Sequence, residues 1–401
     1  MKLSGQQQEA MDLIVAWYES GQSQQCLLFG YAGTGKTTLA QVIANRLGVS
    51  VAYAAYTGKA AHVMRNKGCD GARTIHSLIY LPVHKVHEEL EDLHHRVSQE
   101  TNVTRRADLL GRIYELEQEL RQPDWILNED SDLREVDLLI VDEVSMVNKE
   151  MAGDILSFGV PVLVLGDPAQ LPPVDGAGFF TAQTPDYLLT EVHRQAANSF
   201  VIELATGIRS GHRLIEQRYS SSSVYKPVGR RKALKFNQVI VGTNRERWRR
   251  IHQLREMHGL SGNPSKGDKI ICLANNRDLG VFNGQMFRVV SARDRRPKDI
   301  DSPLLMELRD DDGGHHEQYI WKQGFQGLQA EKDFNAHYNR EAAFMTYGWA
   351  ITCHKAQGSQ WGSVLIVDDW RYKQRQRWLY TAVTRAQYRV ALIRPRQGNA
   401  S

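Results

Sequence analysis

Gly30-Tyr31-Ala32-Gly33-Thr34-Gly35-Lys36-Thr37 lies between an apolar, strand-like run from Gln24 to Phe29 and a helical stretch from Thr37 to Leu47 that stops at Gly48. The spacing G-x-x-x-x-G-K-[ST] in a strand-loop-helix setting is that of a phosphate-binding loop. Glycines let the backbone turn tightly enough for several N–H groups and a helix N-terminus to face one phosphate. Lys36 adds charge near the β and γ phosphates, and Thr37 offers Mg²⁺ a hydroxyl. The loop's nucleotide-contacting set is Gly33, Thr34, Gly35, Lys36, Thr37 and Thr38.

Outward from the loop, Val49 to Ala55 completes a β-α-β order. The runs Asp137 to Val141 and Val160 to Leu165 each end in acidic residues, as parallel strands do when their C-terminal ends line a ligand crevice. The first of these delivers Asp142 and Glu143 to the crevice. Asp142 joins Thr37 in the Mg²⁺ shell, and Glu143 orients and deprotonates the attacking water. A solvated acidic pair is the alternative for two such residues taken alone. After the second run, Gly166-Asp-Pro168-Ala-Gln170-Leu-Pro172-Pro173 sets an amide on a stiff turn. Gln170 there can sense a γ-phosphate, although the prolines equally support a purely structural turn.

The fold class expected is α/β: two α/β domains with parallel sheets, a helical insertion in the first and a small β insertion in the second. The segment His84 to Arg121 has Leu90, Leu93, Val97, Leu109, Leu110, Ile113, Leu116 and Leu120 at helical spacing. A second set of strands begins at Gln238 to Val241 and resumes at Val364 to Val367 and Arg389 to Ile393. Between them, short β-rich runs at Lys269 to Leu273, Gln285 to Val290 and Leu304 to Leu308 are separated by turn dipeptides, which fits an inserted β-barrel. The stretch Tyr219 to Lys235 reads as a mobile basic loop. Domain boundaries follow: 1–80 with 137–200, an insertion at 81–136, then 201–265 with 340–401 around an insertion at 266–339.

A chain of 401 residues with 42% hydrophobic and 24% charged residues is long enough for more than one core. It has no run of eighteen apolar residues and no signal-peptide pattern, so a cytoplasmic, membrane-free setting is expected. Its four cysteines are far apart without a C-x-x-C, which predicts reduced thiols rather than a disulfide frame or zinc ribbon. The net charge of +4 is too small to identify a partner. His84, His87, His94 and His95 read as surface helix residues, with a metal site as the alternative.

Taken together these segments resemble the superfamily 1B helicases, a group with RecD-like, Pif1-like and phage Dda-like members. The resemblance rests on Gly30–Thr38, Val141–Met146 and Gly166–Val174, and on Leu3–Gln7, Thr57–Ala61 and Thr74–His76. It continues through Leu189–Gln195, Tyr347–Ser359 and Leu379–Ala386, so the motifs run in family order across nearly the whole chain. It implies two RecA-like domains with ATP and Mg²⁺ between them, a subdomain 1B, an SH3-like subdomain 2B, and 5′ to 3′ movement on single-stranded DNA. It also implies that Gln7 reads adenine and that Arg194 and Arg385 reach the γ-phosphate as arginine fingers. Gly358 falls in the nucleotide-binding set. Thr57, Lys59, Thr74, His76, His354 and Lys355 match positions near the DNA strand.

Thr243 and Asn244, after a predicted strand, are further phosphate-contact candidates because a strand end exposes backbone N–H groups. The mixed clusters Arg245, Arg247, Trp248, Arg249, Arg250 and Trp370 to Trp378 suit either a DNA path or a solvated helix face. Single-stranded DNA and single/double-strand junctions are the expected partners, with a replication or recombination protein besides, and the chain is expected to act as a monomer. The rival function is a nucleotide-dependent switch or loader that grips a strand without unwinding, or a related RNA motor.

Overall fold

The computed structural model describes residues 3–82, 93, 96–97, 105–106, 109–113, 125–173, 178–192, 199–276, 279–310, 313–334, 341–371 and 373–395. Its first sheet is parallel throughout, in the order β3 (Arg73–Thr74), β2 (Val51–Ala55), β6 (Leu138–Asp142), β7 (Val162–Gly166), β1 (Gln25–Gly30), β8 (Tyr187–Leu189). Continuous apolar runs form its centre because both faces are covered. Leu138 and Ile140 point to the face closed by α1 (Gly5–Ser20) and α2 (Lys36–Leu47). Leu139 and Val141 point to the opposite face, against α4 (Ile75–Ile79) and α5 (Lys149–Ser157). Between α2 and α4, α3 (Gly58–Asn66) follows β2. A separate antiparallel pair, β4 (Tyr80–Pro82) with β5 (Trp125–Leu127), flanks the helical insertion. Of that insertion Leu93, Val97 and Ile113 form a small buried cluster; most of the rest, including the four histidines, lies outside the described residues.

The second sheet runs β17 (Ala350–Thr352), β11 (Gln238–Val241), β18 (Trp361–Val367), β19 (Ala386–Ile393), β10 (Ser222–Val224), β9 (Gln217–Tyr219). Only the β9–β10 pair is antiparallel. One face packs on α6 (Phe200–Arg209) and α8 (Arg375–Val383), the other on α7 (Asn244–Met257). The segment expected as a mobile loop from Tyr219 to Lys235 is instead partly regular. It enters the β9–β10 hairpin, where Ser222 Oγ accepts from Val390 N–H at 3.1 Å, and then forms a short helix, Arg230–Ala233. Three-residue strands separated by serines carry too little alternation to be seen in sequence.

The third sheet is antiparallel, in the order β15 (His315–Ile320), β14 (Leu304–Asp310), β13 (Met286–Arg293), β12 (Lys269–Cys272), β16 (Met345–Tyr347). A bulge between Val289 and Ser291 bends β13, and a bridge from Ile320 to Ala343 turns the β15 edge back toward β16. Met345–Tyr347, expected within the second α/β unit, therefore pairs with the inserted sheet.

An ion pair locks α7 to this third sheet. Arg255 donates to Asp268 at 2.9 and 3.0 Å, and Trp349 Nε1 donates to the same carboxylate at 2.9 Å, all within a buried setting. Asp268→Ala would leave a buried guanidinium uncompensated, so urea unfolding should show a loss of roughly 3–5 kcal/mol. A loss under about 1 kcal/mol would mean that water reaches the site.

Among the described residues no helix is long and apolar enough to cross a membrane. The four cysteines are buried and unpaired, and burial pushes the thiols of Cys26, Cys272 and Cys353 up to about 12.

Candidate active site

The P-loop joins β1 to α2 with Gly33 at φ 84° and Gly35 at φ 80°, left-handed values that side chains resist. Leu39 is the first amide to bond back, to the Gly35 carbonyl at 2.9 Å. The helix therefore has no acceptor of its own for the N–H groups of Lys36, Thr37 and Thr38. Thr34 Oγ1 braces the loop by donating to the Tyr31 carbonyl at 2.9 Å, and Lys36 Nζ donates to the Gly30 carbonyl at 2.6 Å. Gln7, buried, accepts from Ser4 N–H at 3.1 Å and donates to the Thr34 carbonyl at 3.2 Å, so its amide ties α1 to the loop.

Thr37 Oγ1 donates to Asp142 Oδ2 at 2.7 Å, which brings the two predicted metal-side residues together. This hydroxyl–carboxylate pair beside the helix N-terminus suits a hard cation that also takes phosphate oxygens and waters. Glu143, next along, stands at φ 56° and ψ 43°, a left-handed position unusual for glutamate. Burial raises its pKa, with Asp142 and Asp167 reinforcing the shift and Arg385 and Lys36 opposing it. A base must be unprotonated to work, so nucleotide turnover should fall with acidification at pH values above the ordinary 4.5 of glutamate. Glu143→Gln should bind nucleotide, turn over slowly and lose that acid limb in a pH–rate series; loss of nucleotide binding instead would make Glu143 structural.

The second α/β unit closes over these groups. Arg385 is buried, and its guanidinium donates to the Thr381 carbonyl, the Ser359 carbonyl and Thr384 Oγ1 at 3.1, 3.4 and 3.2 Å, with no carboxylate partner among the described ion pairs. The proline-bearing turn is bonded across the cleft: Leu171 N–H donates to Thr381 Oγ1 at 2.8 Å, and Gln357 Nε2 to the Leu171 carbonyl at 2.7 Å. Gln170 Oε1 accepts from Ser145 Oγ at 3.4 Å, and Gln357 Nε2 reaches that same hydroxyl at 3.3 Å. Tyr380 and Arg209 also enter the cleft; Arg209 lies over the Tyr31 ring at 3.4 Å from its centroid. Arg194 lies outside the described residues. Ser145, Arg209, Gln357, Tyr380 and Thr381 had no role assigned from sequence, since only the fold brings them to the P-loop or to the Gln170–Leu171 turn.

Of the predicted strand-contacting residues, Lys59 and Thr74 line a separate cavity of about 270 Å³, together with Arg65, Arg73, Phe282 and Asn283. Thr57 and Thr74 cap α3 and α4, accepting from Ala60 and Ser77 N–H. His76 packs against the rings of Tyr56 and Tyr80, and Lys59 lies over Trp361 at 5.4 Å. Lys355 Nζ donates to Asn283 Oδ1 at 3.1 Å. His354 packs on Trp370, where burial lowers its pKa. At Gly358, φ 72°, a Cβ would stand 2.3 Å from Thr57 Oγ1, so this glycine permits close approach of the two units. Thr243 N–H and Oγ1 both donate to Asp369 Oδ2, at 3.1 and 2.7 Å, and Asn244 Oδ1 accepts from Arg247. Of the α7 cluster, Arg247 pairs with Glu331, Arg249 and Arg250 pair with Glu246, and Trp248 is buried.

Comparison with known proteins agrees with this arrangement. The family model described as an AAA domain matches residues 2–225, more than half of the chain, and that of the UvrD-like helicase C-terminal domain matches 347–393. The ATP-dependent RecD2 DNA helicase of Deinococcus radiodurans is 28% identical over 90% of this chain, which spans only 46% of that relative. Bacteroides Pif1 bound to single-stranded DNA superposes with a TM-score of 0.56 at 20% identity, covering 98% of this chain and 92% of that one. A structure of two coordinating Pif1 helicases on forked DNA gives 0.57 at 18% identity with the same coverage. The chain belongs to the AAA domain family, and its residues 347–393 match the UvrD-like helicase C-terminal domain.

Proposed function

We propose that this chain is an ATP-driven motor that moves 5′ to 3′ on single-stranded DNA and unwinds duplex ahead of it, in replication, recombination or repair. The observation that carries the reading is the cleft. The P-loop with its Thr37–Asp142 pair and Glu143 belongs to the first α/β unit, whereas Arg385, buried with no carboxylate partner among the described ion pairs, comes from the second. A nucleotide held by residues of both units couples hydrolysis to their relative position. The names of the matched relatives, a RecD2 DNA helicase and Pif1 on single-stranded DNA, support DNA as the track.

In this reading residues 1–80 with 137–200 are domain 1A, 81–136 subdomain 1B, 201–265 with 340–401 domain 2A, and 266–339 subdomain 2B. Thr37 and Asp142 would hold Mg²⁺, which when bound neutralises phosphate charge. Lys36 and the N–H groups of the loop bind phosphates, Glu143 takes a proton from water, and Gln170 aligns that water. Lys59, Thr74, His354 and Lys355 hold the strand through contacts that do not read sequence. Strand displacement on duplexes bearing only a 5′ or only a 3′ tail tests the polarity. Displacement from the 5′ tail alone is expected; displacement from the 3′ tail alone refutes it, and nucleotide-dependent grip without displacement favours the switch or loader.

A further inference from the structure

The P-loop is held from behind by one hydroxyl group of the second α/β unit. Tyr380, on α8, is 2% exposed. Its phenol donates to Asp167 Oδ2 at 2.7 Å and accepts from Ala32 N–H at 3.0 Å. Those two partners follow β1 and β7, strands adjacent in the first sheet, so a single oxygen bridges two loops of one unit from a helix of the other. The next residue, Thr381, takes the Leu171 N–H of the same proline-bearing turn. Arg385 ends this helical segment and bonds back to the Thr381 carbonyl.

We propose that Tyr380 is a positioning residue that clamps the P-loop and the Asp167 turn to the second unit in the geometry that hydrolysis requires, a role that rests on the proposed ATP-driven reading. The Ala32 N–H is drawn toward the phenol, and this fixes which side of the loop carries the amides left for phosphate. Asp167, nearly fully buried, has its carboxylate held by the phenol and by Ala169 N–H at 3.0 Å, contacts that oppose the rise in pKa caused by burial. With Tyr380 and Thr381 adjacent, movement of α8 displaces the P-loop and the turn together and carries Arg385 with them. Arg209, stacked on Tyr31, braces the same loop from α6 but makes no bond to its amides among those described.

Tyr380→Phe keeps the ring and removes both bonds. Turnover at saturating ATP and single-stranded DNA should fall about tenfold or more, the loss expected when a hydrogen bond to a charged group is deleted, while KM for ATP stays within about threefold. In nucleotide-free protein, hydrogen exchange in a peptide covering residues 31–39 should rise while the third sheet keeps its protection. Unchanged exchange at the P-loop, or a rise spread evenly over the chain as in general destabilisation, overturns the clamp, as does turnover equal to that of the unaltered protein. Absence of DNA-stimulated turnover in the unaltered protein would instead sink the functional reading, and the exchange comparison would still decide whether the clamp exists.

Discussion

Replacing Lys36 by alanine should reduce ATP turnover by roughly 10²–10³-fold, the cost of removing a preorganised cation from a developing phosphate charge. The ammonium group now rests on the Gly30 and Tyr31 carbonyls at 2.6 and 3.3 Å, within the loop whose amides are proposed to hold the phosphates. The loop itself should survive the change, because Thr34 Oγ1, Gln7 and the α2 N-terminus hold it independently. Lys59 and Thr74, assigned to the strand, line a cavity that contains no residue of this loop, so affinity for single-stranded DNA should stay within about twofold. Turnover rates and fluorescence anisotropy on a labelled oligonucleotide measure the two arms. Near-normal turnover would remove Lys36 from the site.

Arg385→Ala should cost at least about 10³-fold in turnover, the range of an arginine that stabilises phosphoryl-transfer charge, while ATP affinity changes less than about threefold. The difference arises because Arg385 comes from the opposite unit, whereas the loop that binds the phosphates belongs to the first. The side chain is 2% exposed and satisfies two backbone carbonyls, so truncation also risks stability. Arg385→Lys separates the two effects: it keeps a charge but loses the planar fork, and it should remain slow with a melting temperature near that of the unaltered protein. Equal losses of affinity and turnover in both variants would assign Arg385 to binding or folding.

The parts of this site visible in sequence are those built from short, contiguous chemistry. Gly30 to Thr37 and Leu138 to Glu143 each combine an apolar strand with a polar end, and the fold pairs them at 2.7 Å. The parallel sheets were legible because Leu138–Val141 and Val162–Leu165 are apolar without interruption. What was not legible depends on long-range partners. Nothing near Ala32 indicates that its amide meets a phenol 348 residues away, and nothing near Thr243 shows that Asp369 occupies its donors. The basic-aromatic cluster of α7 had two open readings because charge alone does not reveal pairing. In the structure Glu331 pairs with Arg247, and Glu246 with Arg249 and Arg250.

The most direct test of the central claim is the steady-state ATPase rate of the unaltered protein, measured with Mg²⁺ in the absence and presence of single-stranded DNA. Stimulation by the strand, at least about tenfold and lost in both Lys36→Ala and Arg385→Ala, is the result expected of a motor whose cleft closes when the track is gripped. A rate independent of DNA would contradict it.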